Sequence, residues 1–220
     1  MGILSILFPE RCAVCVRPGS ALCESCRSAF VRITPPVCER CGAPGPWPVT
    51  RCAECSGRRL AFVRARAAVV YDERARTFVR VWKEQGRERL AGEAAELVDD
   101  VLAAPAADLL VPVPGDPERA LERGRVPSRA LAEALASRWG IPFAGLLRRP
   151  RPLLRQRGLG LAERRRNVRG SVAATGAAPR SVCVVDDVYT SGATADACAS
   201  ALRRAGARRV EVVTLARAVR

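Results

Sequence analysis

The sequence predicts an α/β domain, a mostly parallel sheet with helices on both faces, behind a small cysteine-rich module at the N-terminus. Eight of the ten cysteines fall between residues 12 and 55 as four CxxC pairs. From about Leu60 the composition shifts to short apolar runs alternating with helical spacings. The chain then ends on a strand, a polar loop, a helix and a strand, and such alternation builds a parallel sheet covered by its own crossover helices. A chain of 220 residues holds one medium domain and a small one, so the expected division is 1–58 and 60–220.

Composition is that of an ordinary soluble globular protein, 49% hydrophobic and 27% charged. The bias lies within the basic residues: 36 of 37 are arginine and Lys83 is the exception. With abundant Ala, Val and Gly, that usage has the look of GC-rich coding. The net charge of +15 is nevertheless uneven. Between Arg119 and Gly170 stand 14 arginines against three acids (Glu122, Glu133, Glu163). Such a block needs anions nearby, whether a polyphosphate ligand, nucleic acid or acidic neighbours in the fold. The apolar opening Ile3–Phe8 is too short for a signal sequence or a membrane span, and Ile6 stands where an N-myristoylation pattern needs Ser or Thr. The expected compartment is the cytoplasm, where thiols stay reduced.

The pairs Cys12/Cys15, Cys23/Cys26, Cys38/Cys41 and Cys52/Cys55 each present two sulfurs from one tight turn, half of a tetrahedral site. Four pairs make two four-cysteine zinc sites, and a reducing compartment speaks against disulfides. Sequential pairing needs only short local loops, while the seven residues between Cys15 and Cys23 leave an interleaved cross-brace open. Each tetrathiolate zinc carries −2, which lowers the true net charge to about +11. A module with so few aliphatic residues draws its stability from metal. The chain has no histidine, so the usual catalytic zinc ligand sets are absent and a structural or partner-binding role is expected.

Along the main domain, Phe62–Tyr71 alternates and is β-rich. Residues 73–104 read as helix interrupted near Gly86, and Asp108–Val113 as a strand stopped by a loop. Pro127–Trp139 has helical spacing through Leu131, Leu135 and Trp139, with Gly140 as its stop. Phe143–Leu147 is a candidate strand. Residues 148–170 hold nine arginines without an apolar face and read as an exposed, mobile segment. Ser181–Val185 reads as a buried strand, Asp186–Ala193 as a polar turn, Thr194–Ala205 as a helix stopped by Gly206, and Val210–Leu215 as a further strand. Cys183 and Cys198 fit as small core residues.

The polar turn carries the chemistry. Ligands of open α/β sheets bind beyond the carboxyl ends of strands. There Gly192 permits close backbone approach, and the amides of Thr190–Thr194 lie at the positive end of a helix. Hydroxyls of Thr190, Ser191 and Thr194 add donors. This suits one phosphate monoester, and with no lysine after the glycine it is not a Walker loop. Asp186 and Asp187 would repel that phosphate if they faced it. They make sense as acceptors for hydroxyls a few ångströms away, or as metal ligands, and a pentose 5-phosphate has that layout.

The string Val184-Val185-Asp186-Asp187-Val188-Tyr189-Thr190-Ser191-Gly192-Ala193-Thr194 closely resembles the phosphoribosyl pyrophosphate (PRPP) motif of type I phosphoribosyltransferases. The order of parts resembles the ComF family, competence-associated phosphoribosyltransferase-like proteins. Those parts are Phe8-Pro9-x-x-Cys12, the CxxC pairs, Trp82-Lys83-x-x-Gly86, Val111-Pro112-Val113-Pro114, Arg123-Gly124 and Glu163-Arg164-Arg165-Arg166-Asn167-Val168. The resemblance covers nearly the whole chain. It implies a type I phosphoribosyltransferase fold after the zinc module. Asp186 and Asp187 would take the ribose hydroxyls, Thr190, Ser191, Gly192, Ala193 and Thr194 the 5-phosphate, with Val185 and Tyr189 completing the PRPP contacts. Lys83 would lie near the active site. Two stretches depart from the family. Arg123-Gly124-Arg125-Val126-Pro127-Ser128 lacks the usual aromatic-Asn-Gln after the Arg-Gly step, and Gly115-Asp116 stands where a histidine is common.

The expected reaction displaces pyrophosphate from C1 of PRPP through an oxocarbenium-like state, so the protein must fix the ribose, neutralise pyrophosphate and exclude water. Lys83, Arg119 and Arg123, with Mg²⁺, are the candidates for neutralisation, and Arg148–Gly170 is a candidate hood. The acceptor is unknown, and the family resemblance links the reaction to DNA uptake. The alternative is a non-catalytic PRPP or nucleotide sensor, or a single-stranded-DNA-binding protein, on the same scaffold. Against a single-strand channel, residues 119–170 offer only Trp139 and Phe143 for stacking.

Overall fold

The computed structural model describes residues 10–85, 87, 89–116, 126–150 and 171–219. In chain order its elements are α1 (Glu24–Ser28), β1 (Arg64–Val70), α2 (Glu73–Gln85), α3 (Arg89–Asp99), β2 (Leu109–Pro112), α4 (Pro127–Trp139), β3 (Leu147–Arg148), β4 (Ala173–Ala174), β5 (Ser181–Tyr189), α5 (Ala193–Arg204) and β6 (Arg209–Arg217). Strands β1, β6, β5 and β2 lie side by side in that order, all parallel, with Val185 opposite both Val213 and Pro112. This is the expected architecture, a parallel sheet with helices on both faces and a cysteine module at the N-terminus.

Period-two alternation along the central strands explains the layers. Cys183, Val185, Val213 and Leu215 point into a core shared with Phe78 and Trp82 of α2, Leu90 and Leu97 of α3, and Leu131 and Leu135 of α4. Val182, Val184, Val210 and Val212 point the other way, against Ala195, Cys198 and Leu202 of α5. Burial pushes the Cys183 and Cys198 thiols up, so both stay protonated core residues. Local signals set the helix ends. The Asp72 carboxylate accepts from the Ala75 amide to start α2, and α4 opens on Pro127 and closes on left-handed Gly140.

Both edges of the sheet are covered. Ile33 and Val70 exchange backbone bonds with Ala68 and Val31, laying the cysteine module along β1. On the far edge the Leu110 amide donates to Pro142 and its carbonyl accepts from Ala144. The expected strand over 143–147 is therefore two things: a single bridge at Phe143, and the short strand β3 paired with β4. A second correction concerns β5, which continues through Asp186, Asp187 and Val188 to Tyr189, so the polar turn is only Thr190–Gly192. Pairing with β6 as far as Tyr189–Arg217 holds those polar residues in the ladder. The hood candidate is described only at its start, where Arg149 is half-buried and donates to the Pro114 carbonyl at 2.9 Å.

The module is packed more deeply than its composition suggested. Leu22 and Phe30 join the core beneath α2, with Phe30 edge-on to Phe78 at 5.9 Å. Cys38, Cys41, Cys55 and Phe62 join the core on the α5 face. The two halves of the module thus buttress opposite faces of one sheet.

Candidate functional site

The eight thiols gather into two tetrads in sequential order, Cys12/Cys15/Cys23/Cys26 and Cys38/Cys41/Cys52/Cys55, each with all sulfurs within 4.8 Å of one another. Sulfurs ~2.3 Å from one zinc ion stand ~3.8 Å apart in a tetrahedron. The Cys15–Cys23, Cys38–Cys55 and Cys41–Cys52 separations of 3.6, 3.6 and 3.4 Å suit that geometry. Short local loops close both sites, and the interleaved alternative does not occur. These are two four-cysteine zinc sites. At the second, Gly42 is left-handed and a side chain there would press on the Ala65 carbonyl of β1, so the knuckle sits directly on the sheet.

Beyond the carboxyl ends of the strands lies the loop. Gly192 has φ +71° and precedes α5 with no side-chain cap, leaving first-turn amides to face a ligand. The Ser191 hydroxyl accepts from the Ala193 amide at 3.3 Å, and Arg58 of the module donates to the Ser191 carbonyl at 2.9 Å. Asp196 of α5 accepts from the Ala61 amide at 2.7 Å. Under the loop is a cavity of about 20 Å³ lined by Asp186, Tyr189, Thr190, Gly192, Thr194 and Thr214 among others, room for one water. Tyr189 is 4% exposed, and its hydroxyl has no hydrogen-bond partner among the described residues. Burial pushes that phenol up to about 12, with the Arg217 guanidinium pulling the other way.

The two carboxylates leave β5 on opposite sides. Asp187 is buried on the α2 side, where Lys83 Nζ stands 2.6 Å from Oδ2. Trp82, packed on Phe78, fixes the turn of α2 that carries this lysine. Asp186 faces the loop cavity, and its Oδ1 accepts the Asp187 amide at 3.0 Å. Burial first, and the neighbouring Asp187 second, push Asp186 up to about 7, opposed by Lys83, the Asp187 amide and Arg149. A carboxyl that titrates near neutrality at this strand end suits hydrogen bonding to hydroxyls.

The structure thus brings together Val185, Asp186, Asp187, Lys83, Tyr189 and Thr190–Thr194. Arg119 and Arg123 lie outside the described residues, as do the Glu163–Val168 motif and Phe8-Pro9. Two residues escaped the sequence reading, Arg58 and Arg217, while Arg149 entered it only as part of the hood candidate. Arg217 left one signal, a charge closing the apolar run of β6.

A double zinc ribbon family model matches residues 3–58. The chain is also 26% identical over 205 residues to "Competence protein ComFC" of Streptococcus pneumoniae (strain ATCC BAA-255 / R6), covering 90% of this chain and 88% of that one. Over most of its length the chain resembles the ComF family. It joins a zinc ribbon of two four-cysteine sites to a parallel α/β sheet. Among solved structures it is similar to the glutamine PRPP amidotransferase from B. subtilis (27% identity, 58% of this chain and 25% of that chain, TM-score 0.37). It is also similar to an adenine phosphoribosyltransferase from Thermoanaerobacter pseudethanolicus (17% identity, 60% and 83%, TM-score 0.37). The chain spans about a quarter of the amidotransferase's length. At these scores neither likeness decides the chemistry of the site. Among the described residues no helix is long and apolar enough to cross a membrane.

Proposed function

We propose that this ComF-like protein binds PRPP on a type I phosphoribosyltransferase scaffold and transfers its phosphoribosyl group to an acceptor with release of pyrophosphate. The observation that supports it most is the joining of an uncapped helix start, at left-handed Gly192, to two adjacent carboxylates at the end of β5. The amides and hydroxyls of Thr190–Thr194 hold the 5-phosphate. Asp186 and Asp187 accept from the ribose diol, and Tyr189 underlies the loop. Lys83, released from Asp187 as the diol takes its place, lends a compact ammonium to the pyrophosphate. Arg149 brings a further positive charge toward Asp186. Arg119 and Arg123 are candidates for the remaining pyrophosphate contacts, and Arg148–Gly170 for a cover that excludes water.

Mg²⁺ takes oxygen ligands and travels with PRPP phosphates, and the Asp186 carboxylate fits beside it. Bound there it would neutralise the departing pyrophosphate. The protein's own part is positioning: fixing the ribose at both ends leaves C1 open to a nucleophile.

A pyrophosphate-release assay with PRPP against a panel of bases and amines tests transfer. Release that depends on both an acceptor and Asp187 supports it. Saturable PRPP binding with no release from any acceptor would instead favour the second reading, a PRPP sensor or DNA-binding accessory in a competence pathway. That reading is favoured by the +11 charge of residues 119–170 and by the name of the pneumococcal relative. Its mark is single-stranded DNA binding that weakens steeply with salt.

A further inference from the structure

Arg217 closes β6, is 1% exposed, and pairs in register with Tyr189 at the end of β5. A buried guanidinium is costly unless its donors are met. Here the two terminal nitrogens are met by the second zinc site, while Nε has no hydrogen-bond partner among the described residues. Nη1 donates to the Cys41 carbonyl at 2.6 Å, and Nη2 reaches the Cys41 sulfur at 3.6 Å and Glu54, one residue before Cys55, at 2.6 Å. The flat of the same guanidinium covers the Tyr189 ring at 4.5 Å, and Phe62 closes the ring's edge at 6.5 Å. Tyr189 in turn lies directly under Gly192, so closely that a Cβ on the glycine would run into the tyrosine hydroxyl. Arg58, three residues beyond Cys55, grips the Ser191 carbonyl from above.

From these contacts we infer that Arg217 is a positioning residue that couples the second zinc site to the phosphate loop. The loop is in its ligand-ready form only while Cys38, Cys41, Cys52 and Cys55 hold their metal. The chain of contacts runs Cys41, Arg217, Tyr189, Gly192. Releasing the metal frees the Cys41 turn and Glu54, removes the partners of Arg217, and lets Tyr189 leave the underside of the loop. Among the described residues no hydrogen bond joins the first zinc site to the loop, and its Cys12 and Cys26 belong to the core beneath α2. The phosphoribosyl site is thus zinc-gated, and gated by one of two chemically identical sites. This rests on the ribose-phosphate reading of the loop.

Coupling is reciprocal, so a ligand in the loop must stabilise the second site by the factor that the zinc stabilises ligand binding. The test uses the full zinc-loaded chain with ribose 5-phosphate as probe. Alkylation of each cysteine by iodoacetamide under mild chelation is followed by peptide mass spectrometry, with reclosing fast relative to alkylation. Saturating ribose 5-phosphate is expected to slow alkylation of Cys38, Cys41, Cys52 and Cys55 by about fivefold or more, leaving Cys12, Cys15, Cys23 and Cys26 unchanged. In Arg217→Lys, which keeps the charge but not the fork, the chain still carries two zinc ions. Its protection disappears, and ribose 5-phosphate binds about tenfold more weakly. Equal protection of both tetrads, or undiminished protection in Arg217→Lys, overturns the coupling. Binding of ribose 5-phosphate with no cysteine protected overturns it too while leaving the ribose-phosphate reading intact. Absence of any binding removes both.

Discussion

Lys83 Nζ stands 2.6 Å from Asp187 Oδ2, joining α2 to the end of β5 across 104 residues of sequence. The lysine is the chain's only one. Its ammonium is a compact point charge where a guanidinium would present a planar fork. Replacing it strands a mostly buried carboxylate, which costs about 1–3 kcal/mol or more when a charged group loses its partner. Lys83→Met is expected to weaken PRPP binding about 10- to 100-fold, and Lys83→Arg to recover only part of that, as measured by calorimetric titration. Full recovery by arginine would mean that charge alone is read at this position.

The elevated Asp186 gives a pH signature. Its folded value lies near 7 against an ordinary 3.8, so the folded chain holds this proton more tightly than the unfolded one. Folding stability from this group is full below about pH 4 and is lost as pH rises towards 7. Asp186→Asn, which cannot ionise, is therefore expected to melt higher than the parent. The gap should widen by a few degrees from pH 5.5 to 7 and stay flat above. Thermal unfolding across that range checks it, and a gap that narrows with rising pH contradicts the assignment.

Gly192 is constrained twice, by φ +71° and by the Tyr189 hydroxyl beneath it. Gly192→Ala is expected to cost about 1–3 kcal/mol of stability and to abolish ribose 5-phosphate binding. Removing the obstructing oxygen in the double variant Gly192→Ala/Tyr189→Phe should recover only that contact's share of the stability, because the ring carbon 2.5 Å from the added Cβ and the backbone strain remain. Denaturant midpoints for the single and double variants separate the two contributions.

Metal removal should act on the whole fold. Cys12 and Cys26 belong to the core beneath α2, and Cys38, Cys41 and Cys55 to the core on the α5 face. Chelation is therefore expected to lower the melting temperature by more than about 10 °C and to expose apolar surface, because metal binding and folding are one equilibrium here. Unchanged melting after complete zinc removal, checked by metal analysis, would show that the sheet stands without its ribbons.

Much of this was legible in the sequence because the signals are local. CxxC spacing names its own ligands, and Pro127 and Gly140 bracket α4 to the residue. The loop before α5, the proposed phosphate site, stands out through its glycine and hydroxyls. Strand lengths were less legible. Asp186 to Tyr189 read as a turn by their polarity, yet the ladder with β6 carries β5 through them. Tertiary pairing overrode local propensity. Least legible was Arg217, whose partners Cys41, Glu54 and Tyr189 are 176, 163 and 28 residues away. No periodicity reports such a contact. The same holds for the depth of the cysteine module, whose few apolar residues count because they enter cores built by other segments.

The central claim, that the end of β5 and the start of α5 form a ribose-phosphate site, is tested most directly by calorimetric titration of Mg²⁺–PRPP into the zinc-loaded chain and into Asp187→Ala. Saturable one-to-one binding to the parent, lost or weakened at least about 100-fold in the variant, is the expected result. An absence of heat with the parent, or equal affinity for both, would contradict it.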